Sequence, residues 1–373
     1  MRKRRWLFSL CLSLLLTSNG INATLNAAPE EKKLFVYGWA NNIDPAVLAR
    51  FKKETGINVV FDVFDSDEIP EAKLLMGKTG YDLITPSNPY FARQIKLGLY
   101  QPLDKTLLPN VKHMDPQILG LLESIDPNNT HGLPLTWGTI GYGYNVQKVK
   151  ERVPNANLNS AQMVLNPDTA QKLADCGIVL LDLPQDVIDG VLYTFGGQTS
   201  ETHHQHDTEK AIQQLEKVRP YIKRFHNSPE QVTTNLLEEE ACIVQAFSGD
   251  ILRTRAEAKA AHKPFDIAYT IPQEGTNGWI DVMAIPHDAA HPKNAHAFLN
   301  FLMQPDVAVQ NALYSMQATP NLTAKKLLPQ VIQKDPALYP DAQTMKRIHL
   351  PPPRDLPQER DLTRRWYKFK LGI

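Results

Sequence analysis

In Trp279-Ile280-Asp281-Val282-Met283-Ala284-Ile285 an indole and a carboxylate stand two residues apart in a β-prone run. Side chains of a strand alternate faces, so Trp279 and Asp281 project on the same side. An indole face is worth up to about 2 kcal/mol to a desolvated ammonium, and a carboxylate offsets the several kcal/mol that burying the charge costs. The pair suits a bound cation. The plainer alternative is an aspartate at a domain edge that pairs with a lysine or arginine of the chain itself. Two further acids, Asp186 and Asp250, follow β-prone runs, the second directly behind Phe247-Ser248-Gly249. Asp250 could do no more than cap a helix beginning at Ile251, Phe247 could be simple packing, and an acid in a first helical turn, as at Asp186, is favoured by the helix dipole. Trp39, behind Leu34-Phe35-Val36-Tyr37-Gly38, and Ser87, behind Tyr81 to Thr85, complete the set. What joins these residues is position: strand ends are where ligands bind in open α/β sheets. As a plain alternative, Trp39 is a core aromatic.

Other chemistries find little support. The run Glu201-Thr202-His203-His204-Gln205-His206-Asp207 carries possible metal ligands, but it reads as a polar loop without a second ligand group at zinc spacing. His287, His291 and His296 read as solvated surface around a helix start. No His-Glu-x-x-His, Gly-x-Ser-x-Gly or phosphate-binding glycine motif occurs, which leaves an enzyme without a nucleophile or base.

The elements that must hold these residues alternate. Asp44-Pro45 starts a helix that carries Val47, Leu48 and Phe51 and stops at Gly56. Ile57 to Phe64 and Tyr81 to Thr85 are predicted strands, the latter followed by a helix to Leu97. Leu133 to Val146 is a glycine-rich strand that crosses between lobes, its glycines free to absorb hinge rotation. A second series follows: strand Ile178 to Leu181, an amphipathic helix Glu209 to Val218, strand Ala241 to Ala246 with a helix to Ala261, and strands Phe265 to Ile271 and Gly278 to Ile285. Helices cover Ala295 to Met303 and the stretch after Pro305. Alternation of this kind implies a largely parallel sheet.

Residues 1–28 join a basic start (Arg2, Lys3, Arg4, Arg5) to an apolar run from Leu7 to Leu16, the pattern of a secretory signal peptide. A bilayer-spanning helix needs roughly 20 residues. The chain is therefore expected to be exported and soluble. Of its 40 basic residues, the 4 in that segment are lost with it, leaving 36 against 40 acidic, a formal charge of −4. No basic stripe remains for nucleic acid. About 345 residues exceed one core of ordinary size, so two lobes are expected. Cys176 and Cys242 remain, a number that can pair in an oxidising compartment or stay as two buried thiols.

Across nearly the whole mature chain, Phe61-Asp62-Val63-Phe64-Asp65-Ser66, Tyr81-Asp82-Leu83, Gln101-Pro102-Leu103-Asp104-Lys105, Gly143-Tyr144-Asn145-Val146 and Arg219-Pro220 resemble the periplasmic spermidine/putrescine-binding proteins of bacterial ABC transporters, above all the putrescine-binding branch. The resemblance implies an α/β, two-lobed periplasmic binding protein fold with hinge-crossing strands and the ligand in the inter-lobe cleft. It implies lobes of 33–139 with 280–325 and 140–279 with 326–373, and a Cys176–Cys242 disulfide. It further implies a monomer without cofactor or metal that passes a polyamine or related cation to an inner-membrane permease and its ATPase. The ligand contacts it implies are Trp39, Ala40, Asn42, Ser87, Asp186, Phe247, Asp250, Trp279, Asp281 and Gln317. Several depart from the family pattern. Trp-Ser-Asp-Tyr is replaced by Trp39-Ala40-Asn41-Asn42, Trp-x-Gly-Asp by Phe247-Ser248-Gly249-Asp250, a tyrosine by Gln317, a phenylalanine by Trp279 and a glutamate by Asp186. If each lost aromatic wall is worth about 0.5 to 2 kcal/mol, a simple diamine is weakened by about one to three orders of magnitude. A ligand drift follows, toward a longer polyamine or an amine whose polar end bonds Asn41, Asn42 and Gln317. Competing roles are a sensing subunit for a membrane receptor, a same-fold protein for another solute and, last, an exported enzyme.

Overall fold

The computed structural model describes residues 30–196, 205–351 and 353–372; the expected signal segment 1–28 and Glu201 to His204 of the histidine-rich run lie outside them. Among the described residues ten strands form one curled sheet: β1 Lys33–Trp39, β2 Asn58–Phe64, β3 Leu83–Ile84, β4 Gly132–Asn145, β5 Ile178–Leu181, β6 Ile222–His226, β7 Ile243–Phe247, β8 Ile267–Thr270, β9 Thr276–Ala284 and β10 Ile348–His349. Their order is β2-β1-β3-β9-β4-β7-β5-β6, with β10 beside β9 and β8 beside β4.

The sheet is mixed rather than largely parallel. β1 pairs β2 and β3 in parallel, and β5 pairs β6 and β7 in parallel. Between these groups run two long antiparallel strands, β4 and β9, paired from Gly132↔Ala284 to Thr139↔Gly278. From Ile140 onward β4 pairs β7 instead. Each parallel group is thus half of a two-lobed α/β molecule, and β4 and β9 carry the chain between them.

Local chemistry sets the helix starts. In α1 (Pro45–Thr55) the Asp44 carboxylate accepts from Ala46 N at 2.8 Å, Pro45 takes the first helical position, and Gly56 closes the helix at φ 75°, a backbone that glycine adopts without penalty. α2 (Glu68–Met76) follows β2 and α3 (Asn88–Lys96) follows β3. Phe51 of α1 packs on Phe298 and Phe301 with ring centroids 4.9 and 5.1 Å away, burying a side chain worth about 2 to 3 kcal/mol. On the other side of the molecule Leu362, Trp366 and Phe369 of the C-terminal helix Leu356–Leu371 join a core with Ile140, Ile178 and Leu215. Leu328, Leu338, Tyr339 and Met345 pack instead with Tyr37, Phe91 and Trp137.

Cys176 and Cys242 are disulfide-bonded, joining positions 66 residues apart just before β5 and β7. The glycines of β4 give clearance: a Cβ at Gly138 would lie 2.6 Å from the Trp279 ring and one at Gly143 2.2 Å from Ile251 Cδ1. One expectation is corrected. His296 is buried, not solvated, because both ring nitrogens find partners: Asp104 N donates to Nε2 at 2.9 Å and Nδ1 lies 2.7 Å from the Pro292 carbonyl.

Candidate functional site

Strand β9 organises the expected site. Asn277, Trp279 and Asp281 alternate on one of its faces, a row about 13 Å long at the usual strand rise. Each touches a different element. Asn277 Nδ2 donates to Asp186 Oδ1 at 2.9 Å and to Asp189 Oδ2 at 3.0 Å. Trp279 meets Phe247 edge to face, centroids 6.0 Å apart. Asp281 Oδ2 accepts from Asn42 Nδ2 at 2.7 Å and from Thr136 Oγ1 at 3.0 Å.

The acids arrive there for a topological reason. β5 and β7 are parallel neighbours, and each runs straight into a helix, Pro184–Thr194 and Ser248–Ala260. Asp186 and Asp250 are both the third residue of their helix. Asp250 is therefore inside the helix, not the cap of one beginning at Ile251, and its carboxylate makes no capping bond. The start of the Ser248–Ala260 helix lies over β4: Ser248 Oγ accepts from Thr139 N at 3.4 Å and sits beside Gly138, the ladder partner of Trp279. Gln317 comes from the other half of the sheet and closes on the same helix start, its Cγ 3.2 Å from where a Gly249 Cβ would stand.

Strand ends of the first half supply the remaining members. Trp39 ends β1 and leans on Phe64 at 4.6 Å, edge to face, partly buried. Ser87 runs beside Asp281, with Val282 N donating to the Pro86 carbonyl at 2.9 Å. The Ser87 hydroxyl donates to Asp67, the residue that precedes α2, and Ser87 N donates to the same carboxylate at 3.0 Å. Ala40 and Asn41 are exposed on the turn, Asn41 with a left-handed φ of 62°. Asn42 is 1 % exposed and its amide is taken by Asp281. Asn42 thus holds the Asp281 carboxylate, itself one of the expected ligand contacts.

Burial dominates the electrostatics. Asp281, 6 % exposed, is pushed up to about 7 by desolvation, against the hydrogen bonds from Asn42 and Thr136. Asp250 is pushed to about 7 by burial, opposed by Arg253 and assisted by Glu230. Burial raises Asp186 to about 7 against the Asn277 bond and Arg354, and Asp189 to about 6 against Arg354. Asp67 rises to about 7 from burial, despite its Ser87 bonds and with Asp281 adding to the rise. A helix start would ordinarily favour a carboxylate; at Asp186 and Asp250 desolvation outweighs it. The plain alternative for Asp281 fails, since no lysine or arginine lies within ion-pair range among the described residues. Trp39 Nε1, Trp279 Nε1 and Gln317 Oε1 are buried without a hydrogen-bond partner among the described residues, a condition that native proteins keep rare. A cavity behind Thr136 and Gln317 holds only about 20 Å³, room for one water. No group of three or more metal-binding side chains gathers among the described residues.

Sequence reasoning missed Asp67, Thr136, Asp189, Asn277 and Arg354. Asn277 was within reach, two residues before Trp279 on the same face, and so was Asp189, one helical turn beyond Asp186. Arg354 lies far along the chain, with Nη2 3.7 Å from Asp189 Oδ1.

The profile of the family described as bacterial extracellular solute-binding protein matches residues 46–340. The chain is 39% identical over 360 residues to a putrescine-binding periplasmic protein of Pseudomonas aeruginosa (strain UCBPP-PA14), covering 96% of this chain and 97% of that one. It is 38% identical over 346 residues to a putrescine-binding periplasmic protein of Escherichia coli (strain K12), covering 92% and 93%. Among solved structures, the spermidine/putrescine ABC transporter substrate-binding protein of Streptococcus pneumoniae superposes with a TM-score of 0.78 at 30% identity, over 91% of this chain and 99% of that one.

Proposed function

The chain belongs to the bacterial extracellular solute-binding proteins, and we propose that it captures a polyamine, putrescine-like or a related cationic amine, in the periplasm for import by an ABC transporter. The relatives bear the names of binding proteins, not of enzymes, and the role needs no chemical turnover. The observation that carries the reading is the β9 row: carboxylates at Asp281 and Asp186, the Trp279 and Phe247 rings between them, and Asp250 at the adjoining helix start.

Asp281 takes an ammonium in this reading, because its hydrogen bonds come only from neutral groups and leave the negative charge uncompensated. Asp250 adds a second negative group beside the rings. The aliphatic part of the ligand lies on Trp279 and Phe247, where apolar contact and the attraction of a cation for a π-face act together. Trp39, Ser87 and Gln317 come from one half of the sheet, and Asp186, Phe247 and Asp250 from the other. A ligand bridging them favours the form in which the two lobes are together, because only that form offers both sets of contacts. The lobes divide near Thr139 on β4 and Gly278 on β9, and the protein works as a monomer that presents its closed form to an inner-membrane permease and ATPase.

Isothermal calorimetry on the mature chain with putrescine, cadaverine, spermidine, spermine and agmatine tests the proposal. Saturable micromolar or tighter binding of at least one amine supports it. No heat from any of the five removes the polyamine assignment and leaves the fold standing.

A further inference from the structure

The Asp186 end of the row already contains a cation of the chain's own. Arg354 is 8 % exposed, and its guanidinium faces Asp189 at 3.7 Å. Its position is fixed on both sides. Arg93 of α3 donates to the Arg354 carbonyl at 3.3 Å, and the next residue, Asp355, caps the C-terminal helix in a reciprocal capping box with Gln358. Arg93 is itself held by Glu71 at 2.6 Å and by Glu359 at 2.7 Å. Yet Nε and Nη2 of Arg354 have no hydrogen-bond acceptor among the described residues. A buried guanidinium with unmet donors is costly, and its site calls for an acceptor.

We propose that this end of the slot receives a neutral hydrogen-bond acceptor rather than a second ammonium, so that the preferred guest is a mono-acylated diamine. Its single ammonium sits at Asp281 and Asp250, and its amide or carbamoyl oxygen accepts from Arg354. The inference rests on the polyamine reading above and narrows it. Arg354 offsets one of the two carboxylates, so a second ammonium brought to Asp186 and Asp189 finds one acid's charge rather than two and a fixed positive charge beside it, which weakens its attraction where water is excluded. A carbonyl oxygen meets no such disadvantage and satisfies donors that otherwise go unpaired. Asn277 bridges Asp186 and Asp189, which ties the Asp186 carboxylate to the one that faces the guanidinium.

The test is calorimetry on the unaltered chain and on Arg354→Gln with putrescine and N-acetylputrescine, each protein checked for folding by circular dichroism. The expected result is N-acetylputrescine binding about tenfold or more tighter than putrescine, the scale of a hydrogen bond to a buried charged group. Arg354→Gln should reduce that ratio about tenfold or invert it. Should Arg354→Gln fail to fold, Asp189→Asn decides: it leaves the guanidinium less compensated, so the ratio should widen. Tighter binding of putrescine to the unaltered chain overturns the inference, as does a ratio that a folded Arg354→Gln leaves unmoved or, where Asp189→Asn decides, one that does not widen. Putrescine binding alone would sink the acylated guest and keep the polyamine reading, whereas no binding by any amine would sink both.

Discussion

At Asp281 a buried carboxylate is held by two neutral donors, Asn42 and Thr136; at the other end of the same strand face, Asp186 and Asp189 share Asn277 with an arginine beside them. Neutral donors lower the cost of burying a charge without cancelling it, and a guanidinium within ion-pair range cancels much of it. One strand therefore presents two acidic ends with different appetites. The Asp281 end needs positive charge from outside, and the Asp186 end has been supplied in part from within. Asp250 stands between them in character, since Arg253 offsets its charge in part and Glu230 adds to it.

Neutralising the acids one at a time measures this difference directly, with calorimetric affinity for whichever amine binds the unaltered chain as the readout. Asp281→Asn should cost about a hundredfold or more, because removing one partner of a buried ion pair costs about 3 to 5 kcal/mol. Asp250→Asn should lose about ten- to a hundredfold, its charge being partly offset already. Asp186→Asn should lose less than about tenfold, since Asn277 and, more weakly, Arg354 already offset that charge in part. Equal losses at Asp186 and Asp281 would erase the distinction between the two ends.

Proton linkage gives the next largest effect. Asp67, Asp186, Asp250 and Asp281 stand at about 7 in the folded protein, against about 4 in an unfolded chain. Each takes up a proton on folding between those values, so the unliganded protein loses stability as pH rises through that window. An ammonium prefers the ionised carboxylates and releases those protons on binding. Affinity should therefore fall about tenfold or more from pH 7.5 to pH 5.5, and the ligand-induced rise in melting temperature should shrink with it. A pH-independent affinity over that range would place the bound cation away from these groups.

How much of this was legible in the sequence depended on whether the rule was local. Alternation along a strand put Trp279 and Asp281 on one side, and the strand-to-helix pattern marked Trp39, Ser87, Asp186 and Asp250 as strand-end residues. Both rules need only a few neighbouring residues. Thr136 reaches Asp281 across 145 positions through the β4–β9 register, and Arg354 reaches Asp189 from a proline-rich segment near the C-terminus; neither register nor segment packing is written in local pattern. Asn42 was expected at the ligand because it stands where the family has a tyrosine; its bonds to Asp281 and, through its backbone carbonyl, to Asn311 Nδ2 at 2.7 Å span distant positions that no local pattern gives. The glycines of β4 carry a related ambiguity. Glycine marks either a flexible joint or a place where something lies close, and the sequence does not say which.

The smallest effect concerns Gln317. Its Oε1 is buried without a partner among the described residues, and its side chain lies on Gly249, the residue before Asp250 at the start of the Ser248–Ala260 helix. A tyrosine there removes the unpaired carbonyl and offers an aromatic wall to a cation between Asp250 and Trp279, a gain of about 0.5 to 2 kcal/mol. Gln317→Tyr should therefore tighten amine binding by about three- to thirtyfold, read by the same calorimetry. The gain should be similar for putrescine and N-acetylputrescine, because the new ring serves the ammonium that both share. Pairing it with Asn42→Tyr should forfeit the gain, since Asn42 donates to Asp281 and its loss leaves that carboxylate with Thr136 alone. A double variant that binds more tightly than Gln317→Tyr would mean that the Asn42 amide does not support the Asp281 end, and the contrast between the two ends would then rest on Arg354 alone.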